Sequence, residues 1–285
     1  MTKPISAWRK KKLADVPILI SQFIEPPAVN LAGRLRIPLE IVEDYPRLQQ
    51  TLKNEVGSIW RLLRSGTMLT VDESIILRTH WRNIILAIHE EVNADVIFRT
   101  KETTDKCAEI ISEVKRVIKV LIGRYNFQHQ DKPADAIACQ PLYTGIMAEV
   151  GVYIALQSIF PQPSLVRFGN IEEDKANTDI VVEVTPQLIL LLQVKSTTGV
   201  PHDAELTTHQ PSNESSKMHW ITRYRIASNL TRTPCIVSNI NYNRIEGSET
   251  GIDLATGYPS ESFMNRLELL LRNEHEILNR IGQPA

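Results

Sequence analysis

The chain has 285 residues, a formal net charge of −1 and 42% hydrophobic residues, enough to bury two domains, or one core with a long extension. Its three cysteines are far apart and show no zinc-type spacing, which argues against a disulfide framework and favours free thiols. The start of the chain is too polar for a signal peptide, and no apolar run approaches membrane-spanning length. These features exclude a secreted disulfide scaffold and predict a cytoplasmic protein with no membrane association.

Three amphipathic patterns in the first half predict helices. They cover 45–65, 70–92 and 104–125, and Thr70 with Glu73 forms a possible capping box at the start of the second. Their apolar stripes are typical of a small helical bundle, although seam residues could instead face a second subunit. The polar stretch 126–136 is the best linker candidate. We therefore expect a helical domain over 1–135, with a basic N-terminal tail, and a second domain over 136–285.

Charge is unevenly divided between these two parts. Residues 1–135 carry 21 Lys and Arg against 17 Asp and Glu, whereas residues 136–285 carry 11 against 16. The second part therefore has no basic excess with which to hold a polyanion, and affinity for nucleic acid would depend on the first part, a metal or a partner protein. Trp8, Arg9 and the lysines at 10–12 could contact phosphates, but such tails are more often merely solvated.

A long apolar segment at 140–160 contains a single charge, Glu149. Pro141 near its start and Pro161 just after its end predict a buried helix. Glu149 lies on one stripe of that helix with Ile146 and Tyr153. A carboxylate in such a place needs a cation or several hydrogen-bond donors, or its pKa rises until it is neutral. It could simply reach water at the helix rim or pair with Lys195, or it could belong to a site.

Two strand-like runs follow, DIVVEV from Asp179 and QLILLLQVKS, which contains Gln193, Val194 and Lys195, with a hairpin break at Thr185 and Pro186. Polar groups in such apolar strands are costly unless they are used. If odd positions pair with odd positions, Asp179 lies opposite or diagonal to Gln193 or Lys195 on one face of the sheet. The alternative is an ordinary hairpin with an Asp at its mouth and a Lys at its end.

The order of these elements resembles the PD-(D/E)XK, or restriction-endonuclease-like, nuclease superfamily. A helix with Glu149 comes first, followed by a strand at 164–170, a strand opening with Asp179 and a strand ending in Gln-x-Lys. A helix at 213–229 and a strand at 233–239 come next. An amphipathic helix at 260–281 closes the chain. The resemblance implies an α/β fold: a C-terminal restriction-endonuclease-like core, with a mixed central sheet of four or more strands flanked by helices, joined to the N-terminal helical domain.

Two residues depart from the superfamily pattern. Thr178 stands where its name has proline, a minor variation, and Gln193 replaces the acidic member of the (D/E)-x-K pair. The Gln-x-Lys version is similar to the Mrr-type subgroup, so it does not by itself imply an inactive site. It does remove one anionic ligand, which leaves the charge of the site to Asp179 and Glu149.

The resemblance implies catalytic roles for Glu149, Asp179, Gln193 and Lys195 and a bound Mg²⁺ or Mn²⁺. Asp179 would hold the metal with the Gln193 side chain and the Val194 carbonyl, and Glu149 would bind it directly or through water. A water activated by the metal would attack a phosphodiester, and Lys195 would orient that water, help to deprotonate it or stabilise charge on the phosphate.

The expected activity is a metal-dependent endonuclease acting on DNA, in defence or in the processing of mobile DNA. The alternative is a catalytically decayed nuclease fold that serves as a nucleic-acid or protein binding module. Lys217, Arg223 and Arg225 on the next predicted helix are candidates for contacts to the DNA backbone, or are ordinary surface charge. A homodimer, or a partner protein docked on the helical domain, is plausible by resemblance.

Two further sets of polar residues are weaker candidates. His202, Asp203, Glu205 and His209 are expected in a polar loop, where no paired spacing supports zinc. The run of acids at 172–174, just before Asp179, could add a ligand, but we expect a solvated hairpin tip.

Overall fold

In a computed structural model, the protein is described at residues 42–64, 67–92, 100–131, 136–160, 165–185, 188–197, 204–207, 235–243 and 251–281. The chain divides into two compact units. The first contains residues 1–68 and 83–139, and the second contains residues 69–82 and 140–285. The sequence places the domain boundary between 135 and 136, and it gives no sign that residues 69–82 cluster with the second unit.

The three helices expected in the first half are present. They are α1 (Pro46–Arg64), α2 (Val71–Val92) and α3 (Lys101–Gln128). The predicted capping box of α2 is formed, because the backbone N–H of Thr70 donates to the Glu73 carboxylate and that of Glu73 donates to the Thr70 hydroxyl. α3 begins earlier than expected, since Thr100 caps it through a hydrogen bond from the backbone N–H of Thr103.

The apolar segment forms α4 (Cys139–Ile159), as predicted from its prolines and length. Residues on every side of this helix are buried, which explains why it lacks a polar face. The expectation that no apolar run reaches membrane-spanning length is wrong for α4, which is long and apolar enough by length and composition alone. However, 67% of its most apolar window is buried inside the protein, a property that core helices share.

The described residues of the second unit form a mixed sheet. Its strands are β1 (Val166–Phe168), β2 (Ile180–Thr185), β3 (Leu188–Thr197), β4 (Ala204–Thr207) and β5 (Cys235–Asn243), in the order β1-β2-β3-β5-β4. β1, β2 and β3 are antiparallel neighbours, β5 runs parallel to β3, and β4 pairs antiparallel with β5. The predicted mixed α/β class is confirmed. β4 was not predicted, and it takes Glu205 out of the expected loop and into a strand.

The sheet packs one face on the helices. Even-numbered residues of β2 and β3, among them Ile180, Val182, Leu190 and Leu192, form a core with α4 and with α6 (Glu261–Ile281). The register pairs Val181 with Leu191, so odd positions do face odd positions, as the predicted geometry of the site requires.

The segment between β1 and β2 is a tight helical connection rather than an open hairpin tip. It contains the short helix α5 (Ile171–Lys175), capped by the Asn170 side chain. Asn177 then takes a left-handed conformation with φ of 59°, and the chain enters β2. Glu173 and Asp174 are 4% and 7% exposed, so the expectation that the acids at 172–174 are solvated is wrong for both.

Several sequence predictions fall outside the described residues. They are the basic tail with Trp8 and Arg9, the helix at 213–229, which carries Lys217, Arg223 and Arg225, and His202, Asp203 and His209.

Candidate active site

Asp179 is fixed at the start of β2 by the backbone of β3. Its own backbone N–H donates to the carbonyl of Leu192 at 2.8 Å, and its Oδ2 accepts from the N–H of Val194 at 2.8 Å. Because Ile180 pairs with Leu192, the next pair along the ladder places Asp179 opposite Gln193. The expected juxtaposition of these two residues on adjacent strands is therefore present, and Asp179 is only 5% exposed.

Glu149 is buried on α4, with 3% of its surface exposed, and it meets two arginines instead of water. Its Oε1 forms a short ion pair with Nη2 of Arg78, and its Oε2 lies 3.3 Å from Nη1 of Arg82. The proposed pairing with Lys195 is not the one that the structure contains. Two arginines of α2 therefore compensate the buried charge of Glu149, which would be costly without a partner.

Arg78 joins three carboxylates. Its Nη2 contacts Glu149 and also lies 3.3 Å from Oδ1 of Asp179, while its Nη1 lies 3.1 Å from Oδ1 of Asp174. We call Glu149, Asp174 and Asp179, with Arg78 and Arg82, the acidic cluster. All five residues belong to the second unit. The convergence of Glu149 and Asp179 that the sequence suggested is thus achieved through one guanidinium group.

Arg82 is held more firmly than Arg78. Its side chain is 1% exposed against 27% for Arg78. It donates to Thr79 at 3.1 Å, lies 3.5 Å from Oδ2 of Asp174, and its guanidinium is 4.7 Å from the ring centre of Phe168. Arg82 is therefore a fixed part of the interior, and Arg78 reaches the surface.

Sequence reasoning missed Arg78, Arg82 and the burial of Asp174. The available signal was the spacing of the two arginines, which are four residues apart on one face of α2 and flank Trp81. Nothing local in the sequence connects that face with Glu149 or Asp179, which follow 71 and 101 residues after Arg78.

The net charge of the acidic cluster is −1 when all five groups are ionised, and it perturbs the pKa values within it. Burial, followed by repulsion from Asp179, raises the pKa of Glu149 to about 7 although Arg78 and Arg82 oppose the rise. Burial also raises the pKa of Asp174. For Arg78 burial acts to lower the pKa, but the three carboxylates outweigh it and the pKa rises. One proton taken up by the carboxylates would make the cluster neutral.

The α5 connection is braced by a second ion pair. Arg167 on β1 donates to both carboxylate oxygens of Glu173, at 2.7 and 2.8 Å. Burial alone would raise the pKa of Glu173, but these bonds from Arg167 lower it. Lys175 pairs with Asp72 of α2 at 2.8 Å. These contacts hold α5, and with it Asp174, against β1 and the first turn of α2.

Lys195 lies two residues beyond Gln193 on the same face of β3 and is exposed. Within the described part of the chain it forms no ion pair with Glu149, Asp174 or Asp179. Gln193 and Val194 are half-buried. The structure therefore joins Glu149 and Asp179 through Arg78. It places Gln193 and the Val194 backbone beside Asp179 and leaves Lys195 exposed.

The oxygen groups around Arg78 are of the chemical type that binds a hard divalent cation. Carboxylate, amide and backbone carbonyl oxygens are the ligands that Mg²⁺ and Mn²⁺ prefer, and a single cationic nitrogen of Arg78 now lies between Glu149 and Asp179. In the present arrangement, no three His, Cys, Asp or Glu side chains in the described ranges are close enough to hold an ion. The guanidinium separates the carboxylates, so a metal could enter only if Arg78 leaves.

Comparison with known proteins provides no relative for this arrangement. No protein-family model, no curated protein and no solved structure matches the chain.

Proposed function

We propose that the protein is a metal-dependent nuclease that hydrolyses phosphodiester bonds, with DNA as the expected substrate. The observation that carries this proposal is the position of Arg78 Nη2, a positive charge shared by Glu149 and Asp179 beside Gln193. Two buried carboxylates from different elements are costly to bring together unless a cation is bound between them. In this structure the guanidinium of Arg78 lies where that cation would bind.

The order of the elements supports the proposal. A helix with Glu149 precedes three antiparallel strands, and β5 runs parallel to β3 after a long connection. This agrees with the order on which the likeness to the PD-(D/E)XK superfamily rests, apart from the additional strand β4 and the helix at 213–229, which lies outside the described residues. A parallel neighbour requires a crossover connection. We therefore propose a restriction-endonuclease-like core for the second unit.

Four groups would hold Mg²⁺ or Mn²⁺. They are the carboxylates of Glu149 and Asp179, the amide oxygen of Gln193 and the carbonyl of Val194. When bound, the metal would supply charge neutralisation at the phosphate and lower the pKa of a water. Asp179 is already oriented for this role, because its Oδ2 is fixed by the Val194 N–H while Oδ1 points to Arg78.

The remaining residues act on the substrate and the water. Lys195, exposed at the end of β3, would hold the phosphate by charge or take a proton from the attacking water. Arg78, which is partly exposed, has to withdraw from the carboxylates before the site is complete. Its departure would place a free cation near the entering polyanion, beside residues 136–285, which carry 11 Lys and Arg against 16 Asp and Glu.

The test is cleavage of supercoiled plasmid DNA. The wild type is assayed with Mg²⁺, with Mn²⁺ or with a chelator, and the variants Asp179→Asn and Glu183→Gln are assayed beside it. Glu183 is an exposed carboxylate on the same strand, so its substitution is the matched control. We expect metal-dependent cleavage by the wild type and by the Glu183 variant, and none by Asp179→Asn.

Metal binding itself gives a readout that is independent of cleavage. Isothermal titration with Mn²⁺ should show binding to the wild type and loss of binding in Asp179→Asn. Arg78→Gln, which removes the competing cation, should bind Mn²⁺ more tightly than the wild type. Cleavage that survives in Asp179→Asn would exclude the proposed site.

The same two arginines favour a second candidate, a decayed nuclease fold that binds nucleic acid or protein without cutting. With Arg78 and Arg82 in place the carboxylates are compensated, and the acidic cluster serves the stability of the fold. In that case the wild type and Asp179→Asn would bind DNA equally in a mobility-shift assay, and neither would bind Mn²⁺ or cleave the plasmid.

A further inference from the structure

Glu149 and Asp179 alone would leave a divalent cation at the proposed metal site incompletely neutralised before the substrate binds. Gln193 is neutral, and Arg82 cannot readily leave because it is buried, bonded to Thr79 and stacked on Phe168. Once Arg78 has withdrawn, the two carboxylates and Arg82 amount to a net charge of −1. A divalent cation bound there would keep a net charge of +1 until a substrate phosphate reached it, and an uncompensated charge is costly in a buried place.

Asp174 lies where the missing charge is needed. Its Oδ1 contacts Nη1 of Arg78, the same guanidinium that holds Glu149 and Asp179. With Asp174 included, the carboxylates and Arg82 amount to −2, which matches Mg²⁺ or Mn²⁺. The arrangement thus has the charge for one divalent cation in place of Arg78.

The second oxygen of Asp174 is a separate observation that points to a ligand. The side chain is 4% exposed, and Oδ2 accepts no hydrogen bond from the described part of the chain. Its cationic neighbour Arg82 Nη2 is 3.5 Å away, beyond ordinary hydrogen-bonding distance. A buried carboxylate oxygen left without a donor is costly, and a bound cation would satisfy it.

The local fold presents Asp174 in a defined position. Asn170 caps α5, Arg167 holds Glu173, and the backbone N–H of Asn177 donates to the Asp174 carbonyl at 2.8 Å. A ligand on so constrained a turn keeps its position when Arg78 moves.

We infer that Asp174 is a third carboxylate ligand of the metal centre and supplies the negative charge that Gln193 does not. This inference rests on the proposed nuclease function. It makes Asp174, from the turn before β2, the replacement for the acid that the superfamily pattern places at position 193.

The test is Mn²⁺ titration of the full chain carrying Asp174→Asn, Gln193→Glu or both, with Glu172→Gln as the control. Glu172 is an exposed acid on the same short helix, so its loss removes one charge without touching the acidic cluster. We expect Asp174→Asn to weaken Mn²⁺ binding by about tenfold or more, the scale seen when a metal site loses a supporting group. Gln193→Glu should restore most of the loss, and Glu172→Gln should bind as the wild type does.

A cysteine variant distinguishes a direct ligand from a residue that only shapes the site. Asp174→Cys should lose Mn²⁺ affinity and gain Cd²⁺ affinity, because a thiolate prefers a soft metal, whereas Glu172→Cys should do neither. This readout applies even if Asp174→Asn folds poorly. Equal Mn²⁺ binding by Asp174→Asn and Glu172→Gln would overturn the role of Asp174 and leave the proposed function standing. Absence of Mn²⁺ binding in the wild type would overturn both.

Discussion

At the scale of single residues, Glu149 is a charged side chain in an apolar helix, and its compensation could be predicted from the sequence only in part. A lone carboxylate in an apolar helix requires a compensating charge, and the sequence suggested Lys195 or a metal. The structure supplies Arg78 and Arg82 instead. The buried carboxylate of Glu149 shows by itself that a compensating charge is needed. Its partners could not be identified locally, because Arg78 and Arg82 lie 71 and 67 residues earlier in the chain.

The raised pKa of Glu149 predicts a specific pH dependence of stability. Because its folded pKa of about 7 lies above its ordinary value of 4.5, the folded protein holds a proton that the unfolded chain releases between these pH values. The corresponding stabilisation is complete below pH 4.5 and is lost as pH rises through 7. Each pKa unit corresponds to about 1.4 kcal/mol, so the loss is on the order of a few kcal/mol.

Chemical denaturation of the wild type and Glu149→Gln from pH 4.5 to 8 measures this effect. The free energy of unfolding of the wild type should fall relative to the variant across that range and then level off. Glu183→Gln, which alters an exposed carboxylate, should follow the wild type. Parallel curves for the wild type and Glu149→Gln would show that Glu149 does not carry the proton.

At the scale of elements, the hairpin of β2 and β3 was predicted well because its information is local. The break at Thr185 and Pro186 indicated where the two strands separate, and the odd-to-odd register on which the predicted site depended is the one observed. The connection before β2 was predicted poorly. Three consecutive acids are typical of a solvated tip, but Arg167, Arg78 and Arg82 bury two of them.

That connection depends on a close backbone approach at Gly169. A Cβ at this position would lie 2.2 Å from the carbonyl oxygen of Thr178, the residue before Asp179. Gly169→Ala should therefore shift the backbone and destabilise the protein by about 1–3 kcal/mol, as overpacking does. It should also weaken Mn²⁺ binding, because Asp179 moves with Thr178.

Gly145→Ala is the matched control, since its Cβ would meet nothing within 4 Å on the helix α4. Replacing a helix-interior glycine by alanine should stabilise by about 0.5–1 kcal/mol. Thermal melts of the two variants should therefore shift in opposite directions. A Gly169→Ala protein as stable as the wild type would contradict the close approach.

At the scale of the whole molecule, the division of the chain is not the one that composition suggests. A boundary at 135 follows from the polar linker, but residues 69–82 cluster with the second unit and bring Arg78 and Arg82 into it.

A fragment of residues 136–285 should consequently fold poorly. It retains the buried carboxylates of Glu149 and Asp174 but lacks both arginines, and removing one partner of a buried ion pair costs about 3–5 kcal/mol. Circular dichroism should show a broad or absent thermal transition for the fragment and a cooperative one for the full chain. Glu149→Gln with Asp174→Asn should restore part of the transition in the fragment. A fragment as stable as the full chain would contradict this account.

Local sequence patterns are sufficient for α1 to α4, α6, the β2–β3 hairpin and the need to compensate Glu149, because periodicity, turn residues and the cost of buried charge act over short distances. The meeting of Arg78 and Arg82 with the three carboxylates of the acidic cluster depends on the tertiary fold, since ion pairs between residues 67 to 101 positions apart leave no local pattern. The tertiary structure likewise set the parallel pairing of β5 with β3 and the burial of Asp174. The acidic cluster is thus assembled from residues that the sequence shows singly and that folding brings together.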